Sequence, residues 1–471
     1  MKRKKKYTLE NVQVTGYAAE GKSIARVDGK VIFIEGAVPG DVVDVFVSRS
    51  KKDWAEGKAK KIKEYSSQLV EPFCIHFGTC GGCKWQMLPY EKQLEYKEQE
   101  VRDVVQRIGR VVGVPVLPIL GSEKTRFYRN KLEFTFSNKK YLPTNELQAL
   151  GENEWPCGAL GYHVPRLYDK IIDINECWLM DDVNNQVRNS LRDYALENEL
   201  SYYDIKEHKG FLRNIILRYC TTGELMVNLV FGHDDPEEIQ KIAAYLLEKV
   251  PAITTLLYTI NQKWNDSIYD LEPQVVSGEG YVIEMLEEFQ FKISPKSFFQ
   301  TNTKQAEVLY NVVKDFAALK GNETVYDLYC GTGSIGIFLS KEAGKIIGVD
   351  VIEDAIADAK ENAQLNGLES TSFFAGDVIE VCDDAFFNLH GRPDVVVVDP
   401  PRAGLHPKLV QKLLEIASPK MVYVSCNVAT QARDLQLLSE KFEVEKLQPV
   451  DMFPHTHHIE CVALLKLKEE V

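Results

Sequence analysis

The sequence contains no long apolar run, and no stretch approaches the ~20 apolar residues that a membrane-spanning helix needs. The basic start, residues 1–7, is not followed by the apolar segment of a secretory signal. Internal repeats and low-complexity segments are also lacking. With ten cysteines in 471 residues, the chain is not a small disulfide scaffold, and its thiols belong in a reducing compartment. We therefore expect a cytoplasmic protein of about three domains, with no membrane contact.

Lys and Arg are fewer than Asp and Glu over the whole chain, 56 against 69, which gives a formal net charge of −13. Taken alone, this negative charge disfavours a polyanionic partner. Residues 1–64, however, hold fifteen Lys and Arg against nine Asp and Glu, a local charge of +6, so residues 65–471 carry −19. A basic end on an acidic body is a common arrangement for docking nucleic acid, and a solubilising tail is the alternative.

Residues 1–65 predict a small β-barrel domain. Glycine-containing turns separate five short strand-like segments, at residues 12–17, 23–27, 31–34, 41–48 and 57–62. Lysine and arginine are interleaved with these strands, as in OB-like barrels that bind nucleic acid without reading much sequence. A barrel that only packs on its neighbour is the alternative.

Two further domains are predicted after residue 65. Residues 66–285 indicate an α+β domain, with a helix near residues 90–110 that could pack on the C-terminal domain. In residues 286–471, apolar strand-like runs alternate with amphipathic helices. This alternation is typical of a doubly wound, mostly parallel sheet, so we expect a Rossmann-like α/β domain.

A glycine-rich turn indicates a cofactor site in the C-terminal domain. A predicted strand at residues 325–329 runs into Gly331, Gly333 and Gly336, where the backbone can approach a ligand closely. Asp350 ends the next strand, where a carboxylate accepts hydrogen bonds from a ribose diol. This spacing fits a nicotinamide dinucleotide and S-adenosylmethionine equally well.

Two aspartates favour S-adenosylmethionine. Asp327 lies within the strand before the turn, where it would repel a pyrophosphate and attract the sulfonium and amino end of S-adenosylmethionine. Asp377 falls where the adenine amino group would be met. Simple strand-end caps are the alternative for both residues.

Three residues near predicted strand ends could carry a reaction. Asp399 opens a turn that two prolines make rigid, and Cys426 leaves the carboxyl end of a central strand, where α/β enzymes hold reactive groups. As a thiolate, Cys426 is a soft nucleophile, although a single cysteine is often a buried apolar filler. Glu460 precedes the last strand, where a base is useful. Three nearby histidines lack a fourth ligand at a familiar spacing, which disfavours zinc.

Together these motifs resemble the RNA uracil-C5 methyltransferase family, whose members modify 23S rRNA or the T-loop of tRNA. The resemblance rests on Ser-Cys-Asn at residues 425–427, Asp-Pro-Pro-Arg at 399–402, Phe-Pro-His-Thr at 453–456 and Glu460. It covers nearly the whole chain, starting with a TRAM-type OB domain. It implies that Cys426 adds to C6 of the uracil, that C5 takes the methyl group, and that Glu460 removes the C5 proton, giving 5-methyluridine.

The residue pattern and the resemblance together give a set of residues that bind S-adenosylmethionine. The set comprises Gln300, Asp327, Tyr329, Gly331, Gly333, Ser334, Asp350, Asp377 and Asp399, the last lying between cofactor and base. Two positions depart from the family pattern. Val428 stands where proline often follows Cys-Asn, which leaves the turn less rigid. Ser334 stands where some members have asparagine, which weakens one cofactor contact.

Four cysteines form a candidate metal site outside the C-terminal domain. Cys74, Cys80 and Cys83 lie within ten residues, with Cys177 as the natural fourth ligand and Cys157 as the alternative. Four thiolates suit zinc or a [4Fe–4S] cluster, and a set of thiols without metal is also open. The rRNA branch of the resembled family carries a [4Fe–4S] cluster at a matching pattern, so we expect the cluster, with a role in folding the central domain and positioning RNA.

The expected partner is RNA, with 23S rRNA favoured over tRNA, and the protein is expected to be a monomer. Segments 127–131 and 211–214 combine basic and aromatic residues that could hold RNA around a flipped uracil, or could be strand edges. Cytosine-C5 methylation is disfavoured because Arg402 stands where such enzymes carry a second cysteine. Amino-group methylation would need no thiol. An RNA-binding chaperone with an inactive methyltransferase fold is the non-enzymatic alternative.

Overall fold

The N-terminal sheet is six-stranded and barrel-like. The computed structural model describes residues 6–150 and 158–469. The strands of this sheet are β1 (Tyr7–Gln13), β2 (Gly16–Ala18), β3 (Lys22–Val27), β4 (Lys30–Glu35), β5 (Val42–Ser50) and β6 (Trp54–Glu64). Their order is β1-β5-β6-β4-β3-β2, with β4 and β6 parallel and the other neighbours antiparallel. Alternate residues of β5 (Val43, Val45 and Val47) are buried, as expected for a sheet with one face on a core.

The start of this sheet differs from the prediction. The strand predicted at residues 12–17 is two strands, because β1 ends at Gln13 and β2 begins at Gly16. The register of β1 against β5 shifts between Leu9 and Val12, and Asn11 has a φ of +52°. A bulge of this kind interrupts the alternation of polar and apolar residues that identifies a strand in a sequence.

A seven-stranded sheet forms the central part of the chain. Its strands are β7 (Lys131–Ser137), β8 (Ala159–Val164), β9 (Leu167–Asp173), β10 (Leu212–Tyr219), β11 (Leu225–Phe231), β12 (Ile253–Ile260) and β13 (Gln274–Ser277). They are ordered β13-β12-β11-β10-β7-β8-β9. The helices of this part are α2 (Thr144–Leu150), α3 (Val183–Glu197) and α4 (Pro236–Lys249). Within the described sheet, β11 and β12 are the only parallel pair, and α4 forms the crossover between them.

A β-hairpin follows the central sheet, formed by β14 (Val282–Leu286) and β15 (Phe289–Ile293). Phe289 and Phe291 of this hairpin lie in the same hydrophobic core as the helix α5 (Thr303–Ala317). The domain boundary predicted between residues 285 and 286 therefore falls inside the hairpin.

The C-terminal sheet is doubly wound. Its strands are β16 (Thr324–Leu328), β17 (Lys345–Asp350), β18 (Thr371–Ala375), β19 (Val395–Val398), β20 (Lys420–Ser425), β21 (Phe442–Val450) and β22 (Glu460–Leu467). The order is β18-β17-β16-β19-β20-β22-β21, and β22 runs antiparallel to both of its neighbours. The connecting helices are α6 (Ser334–Leu339), α7 (Glu353–Leu365), α8 (Val378–Val381), α9 (Asp384–His390), α10 (Pro407–Ile416) and α11 (Val428–Leu438).

Both faces of the C-terminal sheet are covered. Along β19, Val395 and Val397 lie in one hydrophobic core, and Val396 and Val398 lie in the core on the opposite face. A strand buried on both faces has a continuous apolar sequence. This burial explains why the sequence identified these strands.

The helix α1 (Tyr90–Arg107) precedes the central sheet but packs on the C-terminal one. Its Val101 and Val105 are buried in the same core as Leu435 of α11. This packing agrees with the helix predicted near residues 90–110. Over the described ranges, no helix combines the length and the apolar character needed to cross a bilayer.

Candidate active site

One edge of the C-terminal sheet gathers the polar residues that the sequence singled out. The carboxyl ends of β16–β20 meet at this edge because these strands are parallel, and β22 starts there because it runs in the opposite direction. The residues at or just beyond these strand ends are Asp377 (β18), Asp350 (β17), Tyr329 (β16), Asp399 (β19), Cys426 (β20) and Glu460 (β22). Ligands of doubly wound sheets bind at such an edge.

Cys426 and Glu460 are neighbours across two paired strands. Ser425 of β20 lies opposite Cys461 of β22, so the residue after Ser425 and the residue before Cys461 meet at the end of the ladder. Asp399 follows β19, which pairs with the other side of β20. The structure thus brings together the three residues predicted to carry the reaction.

Burial governs the protonation of these three residues. It raises the pKa of Asp399 to about 7. Burial, with a contribution from Asp399, raises the pKa of Glu460 well above the usual range of a carboxyl group. Burial and the two neighbouring carboxyl groups raise the pKa of the Cys426 thiol to about 11. Protons must therefore leave before Cys426 can act as a nucleophile and Glu460 as a base.

Arg402 is a cation beside this site to which the sequence assigned no role. Its charge lowers the pKa of both Cys426 and Glu460. Its backbone carbonyl accepts hydrogen bonds from Asn427 Nδ2 (3.1 Å) and Thr430 Oγ1 (3.2 Å), which tie the turn after β19 to the start of α11. The available signal was its position directly after the two prolines that follow the acidic residue.

The glycine-rich turn after β16 forms an open cradle. The carboxylate of Asp350 accepts hydrogen bonds from the N–H groups of Gly331 and Ile352, each at 3.0 Å. Gly331 has a φ of +52°, and a Cβ there would meet no atom within 4 Å, so a ligand can approach its backbone. A Cβ on Gly333, which has a φ of +76°, would lie 2.9 Å from the Phe373 ring. The turn therefore needs glycine at both positions.

Asp327 is fully buried inside β16. Its Oδ2 accepts a hydrogen bond from the Gly336 N–H at 2.8 Å, whereas its Oδ1 is buried without a partner. Burial raises the pKa of Asp327 to about 7, and the carboxyl groups of Asp399 and Asp350 contribute to this rise. A carboxyl oxygen left without a partner beside the cradle fits the cationic end of S-adenosylmethionine.

Three other predicted cofactor residues lie along the same edge. Burial and the carboxyl groups of Asp377 and Asp350 raise the pKa of Tyr329, so these residues are close together. Asp377 caps the first turn of α8. The Ser334 hydroxyl is 2.9 Å from the hydroxyl of Tyr310, a buried residue of α5 that the sequence did not single out. In the sequence, Tyr310 falls within the apolar pattern of its helix.

Gln300 lies on a loop that contacts the glycine-rich turn. The Thr332 hydroxyl donates a hydrogen bond to the Phe298 carbonyl at 3.4 Å. The Gln300 carbonyl accepts a hydrogen bond from Asn130 Nδ2 at 2.9 Å. The loop therefore connects the cofactor turn to the chain just before β7, and a contact between the Gln300 side chain and the cofactor stays a prediction.

The predicted cysteine ligands line one cavity. Cys74, Cys80, Cys83 and Cys177 surround a space of about 30 Å³ between the chain before α1 and the chain after β9. Burial raises the pKa of Cys80 to about 12 and that of Cys83 to about 11, and the neighbouring thiols contribute to both. Binding a cation relieves this penalty on the thiolates, so the chemistry of the donor set fits a metal or an iron–sulfur group.

Neither the four cysteines nor the histidines of residues 455–458 have side chains already arranged around the position of a single ion. In the described parts of the chain, no group of three or more His, Cys, Asp or Glu is arranged to hold a metal ion. Cys157, the alternative fourth ligand, lies outside the described residues.

Comparison with known proteins identifies the family. The model described as tRNA (Uracil-5-)-methyltransferase matches residues 206–468, and the model of the TRAM domain matches residues 4–60. The chain belongs to the tRNA (uracil-5-)-methyltransferase family. The predicted enzyme class and the predicted fold class, a TRAM barrel and a central α+β part followed by a Rossmann-like methyltransferase domain, are confirmed.

Relatives of this RNA methyltransferase match it over almost its full length. An uncharacterized RNA methyltransferase of Bacteroides thetaiotaomicron is 48% identical over 454 residues, which is 96% of this chain and 100% of the relative. A second, of Porphyromonas gingivalis, is 45% identical and covers 96% of this chain and 99% of its own. The crystal structure of Pyrococcus abyssi tRNA (uracil-54, C5)-methyltransferase in complex with S-adenosyl-L-homocysteine has a TM-score of 0.73 at 28% identity, covering 97% of this chain and 100% of that one. This likeness supports S-adenosylmethionine as the methyl donor.

Proposed function

We propose that this enzyme methylates C5 of a uracil in RNA through a covalent adduct between Cys426 and C6. The observation that carries the proposal is the meeting of Cys426 and Glu460 at the end of the β20–β22 ladder, with Asp399 on the next strand. The reaction needs a nucleophile for C6 and a base for the neighbouring C5, and residues on adjacent strand ends can reach adjacent atoms of one ring.

The chain's own groups would act in sequence. Cys426, favoured as a thiolate by Arg402, adds to C6 and makes C5 electron-rich. S-adenosylmethionine, when bound, supplies the methyl group to C5. The Glu460 carboxylate then takes the C5 proton, the C5=C6 double bond forms again, and the bond between C6 and Cys426 Sγ breaks. This last step returns the thiolate and leaves 5-methyluridine.

The sheet edge suggests how the chain would hold the cofactor. The open backbone at Gly331 accommodates its close approach, and Asp350 retains lone pairs for the ribose diol. The partnerless oxygen of Asp327 would face the cationic end. Asp399, on the strand between β16 and β20, would lie between the cofactor and the uracil.

We propose 23S rRNA as the substrate, with tRNA as the second candidate. The four-cysteine pattern supports rRNA, because the rRNA branch of the family carries cysteines at matching positions. The likeness to an enzyme described as a tRNA (uracil-54, C5)-methyltransferase favours tRNA. Both candidates contain a uracil that must be flipped out of its stack to reach the site.

We propose that Cys74, Cys80, Cys83 and Cys177 hold a [4Fe–4S] cluster, with zinc as the alternative. The shared cavity and the raised pKa values of its thiols support this assignment. When bound, the group would cross-link the chain before α1 to the chain after β9. Iron and sulfide analysis of anaerobically purified protein tests it: equal amounts of both, lost in Cys177→Ser, are expected, and zinc alone would contradict it.

A methylation assay tests the proposed reaction. Wild type, Cys426→Ala and Glu460→Gln are incubated with S-adenosylmethionine and with transcripts of 23S rRNA or tRNA, and nucleosides are identified by mass spectrometry. We expect 5-methyluridine in one RNA class, lost in both variants and retained in Cys382→Ala, which removes a buried cysteine outside the site. RNA binding without any methylation would instead support the chaperone alternative.

A further inference from the structure

The loop of residues 451–459 leads directly into Glu460, the proposed base. It joins β21 to β22. Val450 of β21 and Glu460 of β22 lie opposite each other and form the last residue pair of the two strands before the loop. Since Glu460 is the first residue after the loop, a change in the conformation of the loop would move the end of β22 that carries the proposed base. Near the other side of the site, His458 Nδ1 lies 3.4 Å from Nη2 of Arg402.

The middle of this loop is held by residues 84–97, here called the clamp segment. The N–H groups of Lys84 and Trp85 donate hydrogen bonds to the His455 carbonyl at 2.8 and 3.0 Å. The His455 backbone has a φ of +64°, in the left-handed region that residues other than glycine rarely adopt. External contacts therefore hold the loop in a shape that it would not favour alone.

Gln93 of α1 makes the most extensive of these contacts. Its side chain is fully buried. Its Oε1 accepts a hydrogen bond from the His455 N–H at 2.8 Å, and its Nε2 lies 3.1 Å from the Nδ1 of the same histidine. Nε2 also lies within 3.0 Å of the carbonyls of Trp85 and Leu88, to which it donates. One amide thus links the helix, the chain before it and the loop.

The start of the loop is fixed by the same helix. Asp451 accepts hydrogen bonds from Lys97 Nζ at 2.6 Å and from the Tyr90 hydroxyl at 2.8 Å. The side chains of Lys97 and Asp451 are both fully buried. Buried polar partners that satisfy one another resist displacement, because separating them leaves groups without partners in a medium of low dielectric.

We propose that Gln93 is a positioning residue for Glu460 and acts through His455 and the loop of residues 451–459. The proposal rests on the proposed role of Glu460 as base. Gln93 touches no reacting atom. Its loss should slow the step in which Glu460 takes the C5 proton, C5=C6 forms again and Cys426 leaves, while the addition of Cys426 and the transfer of the methyl group continue.

Transcripts that contain 5-fluorouridine separate these steps. With fluorine in place of the C5 hydrogen there is no proton to remove, so the reaction stops at a methylated adduct of Cys426 that survives a denaturing gel. In Gln93→Leu we expect this adduct to form at a rate close to that of the wild type. With the uridine transcript of the RNA class that the wild type methylates, turnover should fall on the order of 10- to 100-fold, as misplaced catalytic groups do, and a covalent adduct should accumulate.

Two further variants keep the test decisive. Gln99→Leu makes the same change at an exposed position of α1 and should behave as wild type. Tyr90→Phe removes the hydroxyl that binds Asp451 at the start of the loop. It tests whether the loop positions Glu460, and it should give the same pattern at smaller size even if Gln93→Leu folds poorly. Equal losses with both transcripts, or no loss of turnover, would overturn the proposal.

The proposed function can fail separately. If the wild type forms no adduct with the 5-fluorouridine transcript, or if Glu460→Gln fails to accumulate one with uridine, the covalent mechanism is wrong whatever Gln93 does. If both reactions behave as expected, the result with Gln93→Leu concerns the clamp segment alone.

Discussion

Individual acids at the sheet edge are kept partly protonated by burial. Asp327 and Asp399 both have pKa values of about 7. A sulfonium cation bound beside them would reverse this effect, because an opposite charge favours the ionised form of a carboxyl group. Cofactor binding and the ionisation of these acids are therefore coupled.

We expect the affinity for S-adenosylmethionine to rise with pH between about 6 and 8. Below pH 7 the two acids are mostly neutral and must release protons when the cation binds, whereas above it they are already ionised and the affinity levels off. Titration calorimetry in buffers of different ionisation enthalpy measures the protons released. Asp327→Asn should bind more weakly and release fewer protons. Proton uptake by the wild type would contradict the coupling.

Arg402 should control how readily Cys426 loses its proton. Burial raises the pKa of this thiol and the charge of Arg402 opposes part of that rise, so we expect Arg402→Gln to slow formation of the adduct with 5-fluorouridine RNA at neutral pH. The rate should recover as pH rises, since the thiolate fraction increases up to the pKa. Arg402→Lys keeps the charge and should retain more of the rate. Identical pH profiles for the two variants would rule out an electrostatic role.

Among the elements, the clamp segment joins two parts of the molecule that serve different purposes. Its first residue, Lys84, directly follows Cys83, which lines the cysteine cavity. The N–H of Lys84 also binds the loop that leads to Glu460. A group bound by the cysteines would therefore restrain the same stretch of backbone that supports the proposed base.

If the four cysteines hold the proposed metal group, its removal should loosen the loop of residues 451–459. After oxidation and chelation, or in Cys74→Ser, we expect faster hydrogen exchange at the N–H groups of Lys84 and Trp85, which donate to the His455 carbonyl, because residues 84 and 85 lose an anchor. Peptides from β16 and β17, which lie three and four strand positions away from β22 in the same sheet, should keep their protection and serve as the internal control. Hydrogen exchange followed by mass spectrometry on the full chain gives both readings. Unchanged protection at Lys84 and Trp85 would show that the cavity and the loop are independent.

Sequence patterns identified elements whose environment is uniform along their length. The central strands β16, β17, β19 and β20 could be predicted because both of their faces are buried. Asp399, Cys426 and Glu460 could be placed at the sheet edge because strand ends follow from strand boundaries. The contact between Gln93 and His455 could not be predicted, since the two residues are 362 positions apart. Gln93 also lies among the polar residues of α1, where a solvent-facing position is the ordinary expectation.

Over the whole molecule, charge is divided between a basic start and an acidic remainder. A groove of about 340 Å³ lies between the N-terminal sheet and Arg166 of the central part, and its walls include Lys22, Phe33, Phe46 and Lys58. Glu35 and Glu56 also line it, and they pair with Arg166 and Lys22. Aromatic rings beside lysines suit stacked bases and phosphates of single-stranded RNA. Lysines that contact phosphates release the counterions of the RNA, so the affinity of such binding should fall as the salt concentration rises.

Replacing Lys22 and Lys58 with glutamine should weaken RNA binding and reduce its salt dependence. If both lysines contact phosphates, the slope of log affinity against log salt should become shallower by about 1.4, at roughly 0.7 per contact with a single strand. Fluorescence anisotropy over a range of salt concentrations measures the slope. Glutamine at Lys241 and Lys249, two exposed lysines of α4, is the matched control and should change little. A slope unaffected by the first pair would place the RNA elsewhere.

The long separation between clamp segment and loop also bears on how the chain is made. Lys97 and Asp451 are 354 positions apart, so at the usual ~5–20 residues per second a ribosome needs on the order of 20–70 s to pass from one to the other. Until α11 has been made, Val101 and Val105 of α1 lack Leu435, one of the residues of the core that they enter. Contacts this distant in sequence are also among the slowest to form. Catalytic competence is thus one of the last properties the nascent chain acquires, and an interrupted chain would expose the Val101 and Val105 face of α1 to chaperones and proteases.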